Sequence, residues 1–451
     1  MRLRRGARRA VLLSLLPLLI MAFAGSAPAA QGGAWTLERV VLLQRHGIRS
    51  PTDSPAKLDR YSAQPWPSWP VAPGELTDAG RRALAVMAAY VRSRYTDLGL
   101  LPRAGCPAPG LIYVWADSTD ERTRVSGAVM AAGLAPGCGL NSYHASSQHD
   151  PLFHAADAHI CVANTRGMRS EILARVHGDL NDLGPEYAQA LRLMQSVLAP
   201  DPHACIGRAA TCGLMHGRNQ LTTREGKLTL EGPLATGATL SQDLELEYAE
   251  GLPLDQVGWG RAATPERLGQ LLALHEQFSE LTRRTPDAAV ANGALLARLM
   301  LQELEGQPPV AAATKAPIPS SPAIPSSARF VLLVGHDTNL ANVGAILGLD
   351  WRLPGQPDST APDTIMALEV WRNPSAGTRQ VRAAVLYQPL AQLRAAARGG
   401  PPAAVLRDAS DTRTSAARDL ALAIPGCTSE ACPISSVRAR LESQMLQHCA
   451  H

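Results

Sequence analysis

Five short, almost unbroken apolar runs punctuate the chain: RVVLLQ (39–44), GLIYVWA (110–116), RFVLLVG (329–335), IMALEVW (365–371) and VRAAVLY (381–387). Each is too short for a stable helix and rich in Val, Leu and Ile, so each reads as a buried strand. Between them the apolar residues recur every three or four positions. LTDAGRRALAVMAAYVRSRY (76–95) predicts a helix capped by Thr77, with Leu84, Met87, Ala88 and Val91 along one face. Strands alternating with helices argue for an α/β core. From about 163 to 306 the pattern is helical throughout, in PEYAQALRLMQSVL, ATGATLSQDLELEYAEG, ERLGQLLALHEQFSEL and AAVANGALLARLMLQELEG. That block reads as a helical insertion within the α/β part. Residues 307–328, rich in Pro, Ser and Ala, read as an extended or mobile connector.

The first 30 residues break the pattern: Arg2, Arg4, Arg5, Arg8 and Arg9 precede the apolar run AVLLSLLPLLIMAFAG and the small residues SAPAA. This is the layout of a secretory signal, and Arg8–Arg9 leave a twin-arginine route open. Those five arginines exceed the whole formal charge of +4, so the remainder carries about −1 and a basic nucleic-acid surface is not indicated. With 46% hydrophobic residues in 451, the chain buries a large core and has room for two or three domains. Eight cysteines, none in paired C-x-x-C sets, favour disulfides over a structural zinc site. Close spacing suggests Cys205 with Cys212 and Cys427 with Cys432.

The chemistry gathers at strand ends, where open α/β sheets bind ligands. VVLLQ runs into Arg45-His46-Gly-Ile-Arg49, FVLLVG into His336-Asp337, and GLIYVW into ADSTDERTR with Arg122. Arginine forks fit phosphate oxygens, a neutral imidazole can attack phosphorus without a metal, and a carboxyl such as Asp337 can protonate a leaving alkoxide. Taken singly, each piece is ordinary: a histidine after a strand is more often a satisfied core residue, and Gly335-His336-Asp337 alone can be a strand-ending turn. Their joint occurrence points to a phosphate site. His144, His149, His154 and His159, with Asp150 and Asp157 among them, raise the question of a metal cluster. Five-residue spacing does not keep them on one helical face and Pro151 interrupts the segment, so a solvated loop is expected instead.

RHGIRSPTD and GHDTNLANVGA, in that order and about 290 residues apart, resemble the two signatures of the histidine acid phosphatases, closest to the bacterial periplasmic phytase and acid phosphatase branch. The similarity extends through PWPSWPVAPGELTDAGRRAL, DERTRVSGAVMAAGLAPGC, DPLF, GWGR, LLALHEQF and DWRLPGQPD. The resemblance implies a large α/β domain with a central mixed sheet, of phosphoglycerate-mutase type, and a smaller all-helical inserted domain. The expected division is a signal at 1–30, the α/β domain at 31–162 and 284–451, and the helical domain at 163–283. It makes His46 the nucleophile and Asp337 the proton donor, with Arg45, Arg49, Arg122 and His336 on the phosphate oxygens and Thr52 and His275 lining the substrate cleft. It implies the bridges Cys106–Cys138, Cys161–Cys449, Cys205–Cys212 and Cys427–Cys432.

The expected activity is metal-independent hydrolysis of phosphomonoesters at acid pH, phytate among them. No cofactor, nucleic acid or membrane partner is expected of a monomeric, periplasmic or secreted protein. Glucose-1-phosphatase or broad acid phosphatase activity is the alternative, and a periplasmic phosphate-ester binding protein the non-enzymatic one. Phosphoglycerate-mutase-type chemistry fits an exported, disulfide-bonded chain poorly. One departure stands out: Asp53 occupies the position just after the first signature where phytases of this branch carry lysine, and its charge should repel a polyphosphorylated ring.

Overall fold

The computed structural model describes residues 35–156, 161, 164–199, 214, 217–224, 226–306, 322–399, 417–427 and 431–449. The signal segment, His159, the Cys205–Cys212 pair and residues 307–321 of the connector lie outside the described residues. All five apolar runs form strands: β1 (Thr36–Arg45), β2 (Ile112–Ala116), β6 (Phe330–Gly335), β7 (Ile365–Asn373) and β8 (Thr378–Tyr387). With β3 (Ser142–His144), β9 (Arg418–Leu422) and β10 (Ala431–Pro433) they build one mixed sheet in the order β10-β8-β7-β1-β6-β2-β3, with β9 also paired to β8. β1, β6 and β2 lie parallel and adjacent, and β7 runs antiparallel to β1.

The sheet is covered on both faces, which explains why its central strands are unbroken apolar runs rather than alternating ones. Val40, Leu42, Phe330 and Leu332 pack with Leu84, Met87 and Val91 of α2 (Asp78–Asp97) and Met130 and Leu134 of α3 (Glu121–Leu134). Val41, Leu43, Val331 and Leu333 point the other way. They meet Val290 and Leu296 of α8 (Pro286–Glu305), Leu340 and Val343 of α9 (Asp337–Leu347), and Val437 and Leu441 of α11 (Ile434–His448). Thr77 caps α2 as expected, its hydroxyl accepting from the Gly80 amide at 3.0 Å. A separate apolar cluster lies among α4 (Thr165–Arg175), α5 (Gly184–Leu198), α6 (Pro233–Glu250) and α7 (Pro265–Thr282), reaching Leu58 of the one-turn α1 (Pro55–Leu58) and Leu390 of α10 (Leu390–Ala397).

The middle segment is not helical throughout. Residues 220–231 form a hairpin, β4 (Gln220–Arg224) against β5 (Lys227–Glu231), whose alternation of Leu and Thr is a period of two that surrounding helical patterns mask. Nor is the described end of the connector loose. Ile324 and Ala328 join the core beside the sheet, because apolar side chains in a Pro-rich stretch still bury where a surface is offered. Three bridges occur among the described residues, Cys106–Cys138, Cys161–Cys449 and Cys427–Cys432, in the pairing expected. No helix of the described residues is long and apolar enough to cross a membrane.

Candidate active site

The parallel register of β1, β6 and β2 brings their C-terminal ends level: Arg45 lies opposite Gly335, and Ala116 opposite Val334. The residues that follow are tied across the same edge. His46 N donates to Gly335 O at 2.9 Å, and Asp117 N to Val334 O at 2.9 Å. The loop after β1 is then clamped between α2 and α3. Gly47 N donates to Ser126 Oγ at 3.1 Å, and a Cβ on Gly47 would stand 2.7 Å from Leu84 Cδ1. A Cβ on Gly80 would lie 2.2 Å from the Ile48 carbonyl oxygen, so the first turn of α2 can approach the loop only as glycine.

His46 is buried, with Nδ1 2.8 Å from the Gly47 carbonyl oxygen. A carbonyl only accepts, so Nδ1 carries the proton and the Nε2 lone pair is left free. Burial, followed by the charges of Arg122, Arg45, His336 and Arg49, holds the imidazole well below its ordinary pKa and so favours the neutral ring. Arg45 is 1% exposed and pairs at 3.0 Å with Asp358, itself 0% exposed. Burial opposes its charge, but Asp337, Asp358 and Glu245 outweigh that and raise its pKa. Burial lowers Arg49 to about 10, against the pull of Asp243. Arg122, in the first turn of α3, binds Asp120 at 2.8 Å and the Gly74 carbonyl at 3.3 Å. Arg45, Arg49 and Arg122 each keep a buried Nε–H with no hydrogen-bond partner among the described residues. Three desolvated cations with unspent donors beside a neutral imidazole suit an anion that accepts many hydrogen bonds.

His336 caps α9, its own amide donating to Asn339 Oδ1 at 2.9 Å, and its ring stands 5.5 Å from that of His46. Its Nε2 lies 2.7 Å from Asp117 Oδ2, and His154 Nε2 reaches the same oxygen at 2.7 Å. The expectation of a solvated histidine loop therefore fails at His154, half-buried against Asp117. Asp150 is also buried, accepting from Trp115 Nε1 at 2.8 Å, whereas His144 and His149 are exposed. Burial works to raise Asp117, but the two imidazole hydrogen bonds outweigh it and hold the carboxylate far below its usual range. The donor atoms of Asp117, His154 and His336 lie within 4.8 Å of one another. Both imidazoles spend their Nε2–H on one oxygen, so the set is satisfied as a hydrogen-bonded triad.

Asp337 opens α9. Its Oδ1 accepts from the Thr338 amide at 2.9 Å, and its Oδ2 accepts from Arg283 at 2.7 Å and Gln242 at 3.4 Å. Burial pushes the carboxyl up, yet Arg283, Arg45 and His275 outweigh it and keep it well below the ordinary range. The free site thus favours an ionised Asp337, so the acid role expected of it requires that a proton be brought to it. His275, on α7, has Nε2 4.0 Å from Asp337 and 3.9 Å from Asp358, and burial lowers it to about 4. Thr52 is exposed at the rim. Asp53 pairs with Lys57 at 2.6 Å, which partly cancels the charge expected to repel a polyanion.

The sequence reading missed Asp117, His154, Gln242, Arg283 and Asp358. Asp117 and Asp358 stood inside segments already noted, at the end of a strand and in DWRLPGQPD. Nothing in the helical patterns of α6 and α7 marks Gln242 or Arg283 as facing the sheet edge.

Residues 36–196 match the model of the histidine phosphatase superfamily, branch 2. Phytase AppA of Escherichia coli is 33% identical over 393 residues, 86% of this chain and 88% of that protein. A glucose-1-phosphatase of Salmonella typhimurium is 25% identical, covering 80% of this chain and 83% of its own. The structure of Hafnia alvei phytase in complex with myo-inositol hexakis sulphate superposes with a TM-score of 0.79 at 32% identity, over 94% of this chain and all of that one. With the strand-end histidine and its arginines in the same fold, the chain belongs to branch 2 of the histidine phosphatase superfamily, as a bacterial-type histidine acid phosphatase that hydrolyses phosphomonoesters.

Proposed function

We propose that the protein hydrolyses phytate and other phosphomonoesters at acid pH through a phosphohistidine at His46. The observation that carries the reading is the free Nε2 of a neutral, buried His46 among three arginines with unspent donors. Arg45, Arg49, Arg122 and His336 hold the non-bridging oxygens, while Thr52 and His275 line the cleft. Nε2 attacks phosphorus in line as the ester P–O bond breaks, and the leaving oxygen takes a proton from Asp337. Water then attacks the phosphohistidine and gives its proton back to Asp337. The P–N bond breaks, the lone pair on Nε2 is restored, and the departing phosphate takes the proton from Asp337, leaving the carboxylate ionised as at the start.

Because Asp337 is ionised in the free enzyme, its proton comes with the substrate. A phosphomonoester keeps one proton below about pH 6, and settling the dianion among the arginines passes that proton to the nearby carboxylate. Acid operation follows from this. The helical unit at 163–283 and the α/β unit at 31–162 and 284–451 form the two walls, with Gln242 and His275 reaching in from the helical side. The bridges and the bacterial relatives favour a periplasmic or secreted location, and a monomer that works without metal or organic cofactor is part of the same proposal. A preference for sugar monophosphates is the second reading, favoured by the acidic Asp53 at the rim.

The deciding experiment is His46→Ala with 4-nitrophenyl phosphate and phytate, combined with acid-stable or alkali-stable trapping of labelled phosphoenzyme. The wild type should trap an alkali-stable, acid-labile phosphohistidine, and the variant should trap none and turn over neither substrate. Undiminished hydrolysis by the variant removes His46 from the role.

A further inference from the structure

We infer that Arg283 selects for substrates carrying a second anionic group on the leaving side, by acting as a removable counter-ion of Asp337. The inference rests on the proposed role of Asp337 as proton carrier. Asp337 has only one oxygen free for that task, since Oδ1 is spent on the Thr338 amide. The other, Oδ2, is occupied by Arg283 at 2.7 Å. A carboxyl cannot take up the substrate's proton while a guanidinium holds it ionised, so the pair must open in each cycle.

Arg283 is placed where it can leave Asp337 without unfolding α7. It follows the C-terminal end of α7, with its guanidinium 5.8 Å from the Phe278 ring centre and its side chain 16% exposed. The titratable and charged groups facing Asp337 are Arg45 from β1, Arg49 from the loop after it, Arg122 from α3, the largely neutral His275 from α7 and Asp358 from the loop before β7. Asp358 already pairs with Arg45. Among the described residues Asp337 is the one carboxylate that pairs with Arg283, so a substrate anion is the charged partner that can compete for it. A neighbouring phosphate on the leaving group does so, drawing the fork away from Oδ2 and freeing the carboxylate to accept its proton. A leaving group without an anion leaves the pair closed and the carboxylate occupied. A singly phosphorylated alcohol is then a slow substrate because proton transfer fails, and not because it binds poorly.

The test compares myo-inositol hexakisphosphate with myo-inositol 1-phosphate in wild type, Arg283→Gln and Arg283→Lys, with folding checked by thermal melting. In the Gln variant kcat for the monophosphate should rise and kcat/KM for the hexakisphosphate should fall. The ratio of kcat/KM for the hexakisphosphate to kcat/KM for the monophosphate should drop by about tenfold or more, the scale of one lost charge-assisted contact. The basic limb of the monophosphate profile should move up by about one pH unit, since removing one adjacent cation raises a carboxyl by that order. The Lys variant, which keeps the charge without the fork, should fall between. Equal changes on both substrates, or an unmoved basic limb, overturn the role of Arg283 while leaving the phosphatase reading intact. Failure of the wild type to hydrolyse even 4-nitrophenyl phosphate overturns both.

Discussion

Replacing Asp337 by Asn tests the proton path most directly. The amide keeps an oxygen for the Thr338 cap and adds no bulk, so the first turn of α9 should persist. What disappears is the charge opposite Arg283 and the capacity to carry a proton. The ion pair is partly shielded, with side chains 16% and 15% exposed, so its loss should cost about 1–3 kcal/mol of stability, between the surface and buried limits. The effect on turnover should be larger and selective. Removing a general acid typically costs about 10²–10⁴ in rate, or roughly 3–5 kcal/mol of barrier. It applies only where the leaving oxygen needs protonation. We expect kcat for phytate, whose inositol oxygens are poor leaving groups, to fall by at least about a hundredfold. For 4-nitrophenyl phosphate, whose phenolate leaves unaided, the loss should stay within about tenfold. Steady-state kcat values for both esters at pH 5 decide it. Losses of equal size, or an effect confined to KM, would refute Asp337 as the donor.

Arg45→Met should strand Asp358 without its cation and lower stability by about 3–5 kcal/mol, whereas the double variant Arg45→Met/Asp358→Asn should recover most of that stability yet still bind inorganic phosphate poorly; recovery of phosphate inhibition in the double variant would contradict the site. Asp53→Lys should lower KM for phytate more than for an aryl phosphate, but by less than an unpaired charge reversal predicts, because Lys57 already sits 2.6 Å from Asp53; a salt-independent or absent preference would mean the rim does not face the substrate. Stability should fall from pH 6 to pH 8. Burial raises Asp150 to about 6, Asp243, Glu276 and Glu303 to about 7, and Glu247 to about 8, so each contributes stability at acid pH that is lost as pH rises through its folded value. His275, lowered to about 4, acts oppositely and only below about 6.5. Melting temperatures across that range, flat or rising toward pH 8, would contradict this balance, and Glu247→Gln should flatten part of the slope.

The sequence by itself determined the strands, the main helices and the sheet-edge half of the site. Short unbroken apolar runs rich in Val, Leu and Ile read as strands buried on both faces, and the polar residues that end them emerge at one edge once the strands lie parallel. Arg45, His46, Arg49, Arg122, His336 and Asp337 were legible for that reason. Close spacing already suggested Cys427–Cys432, whereas Cys106–Cys138 and Cys161–Cys449 came only with the family resemblance, the latter pair being 288 residues apart. Only the tertiary structure decided the other half. The β4–β5 hairpin was hidden because two short strands cannot outvote the helical periodicity around them. His154 looked like one of four evenly spaced loop histidines until folding set it on Asp117 Oδ2, a contact across 37 residues that no local period encodes. Gln242 lies on α6 and Arg283 just past the end of α7, where the helical patterns report burial but not which neighbour a side chain meets. The ionisation of Asp337 follows from them: a carboxyl's charge depends on what packs within a few ångströms, and those partners come from elements 54 and 95 residues away.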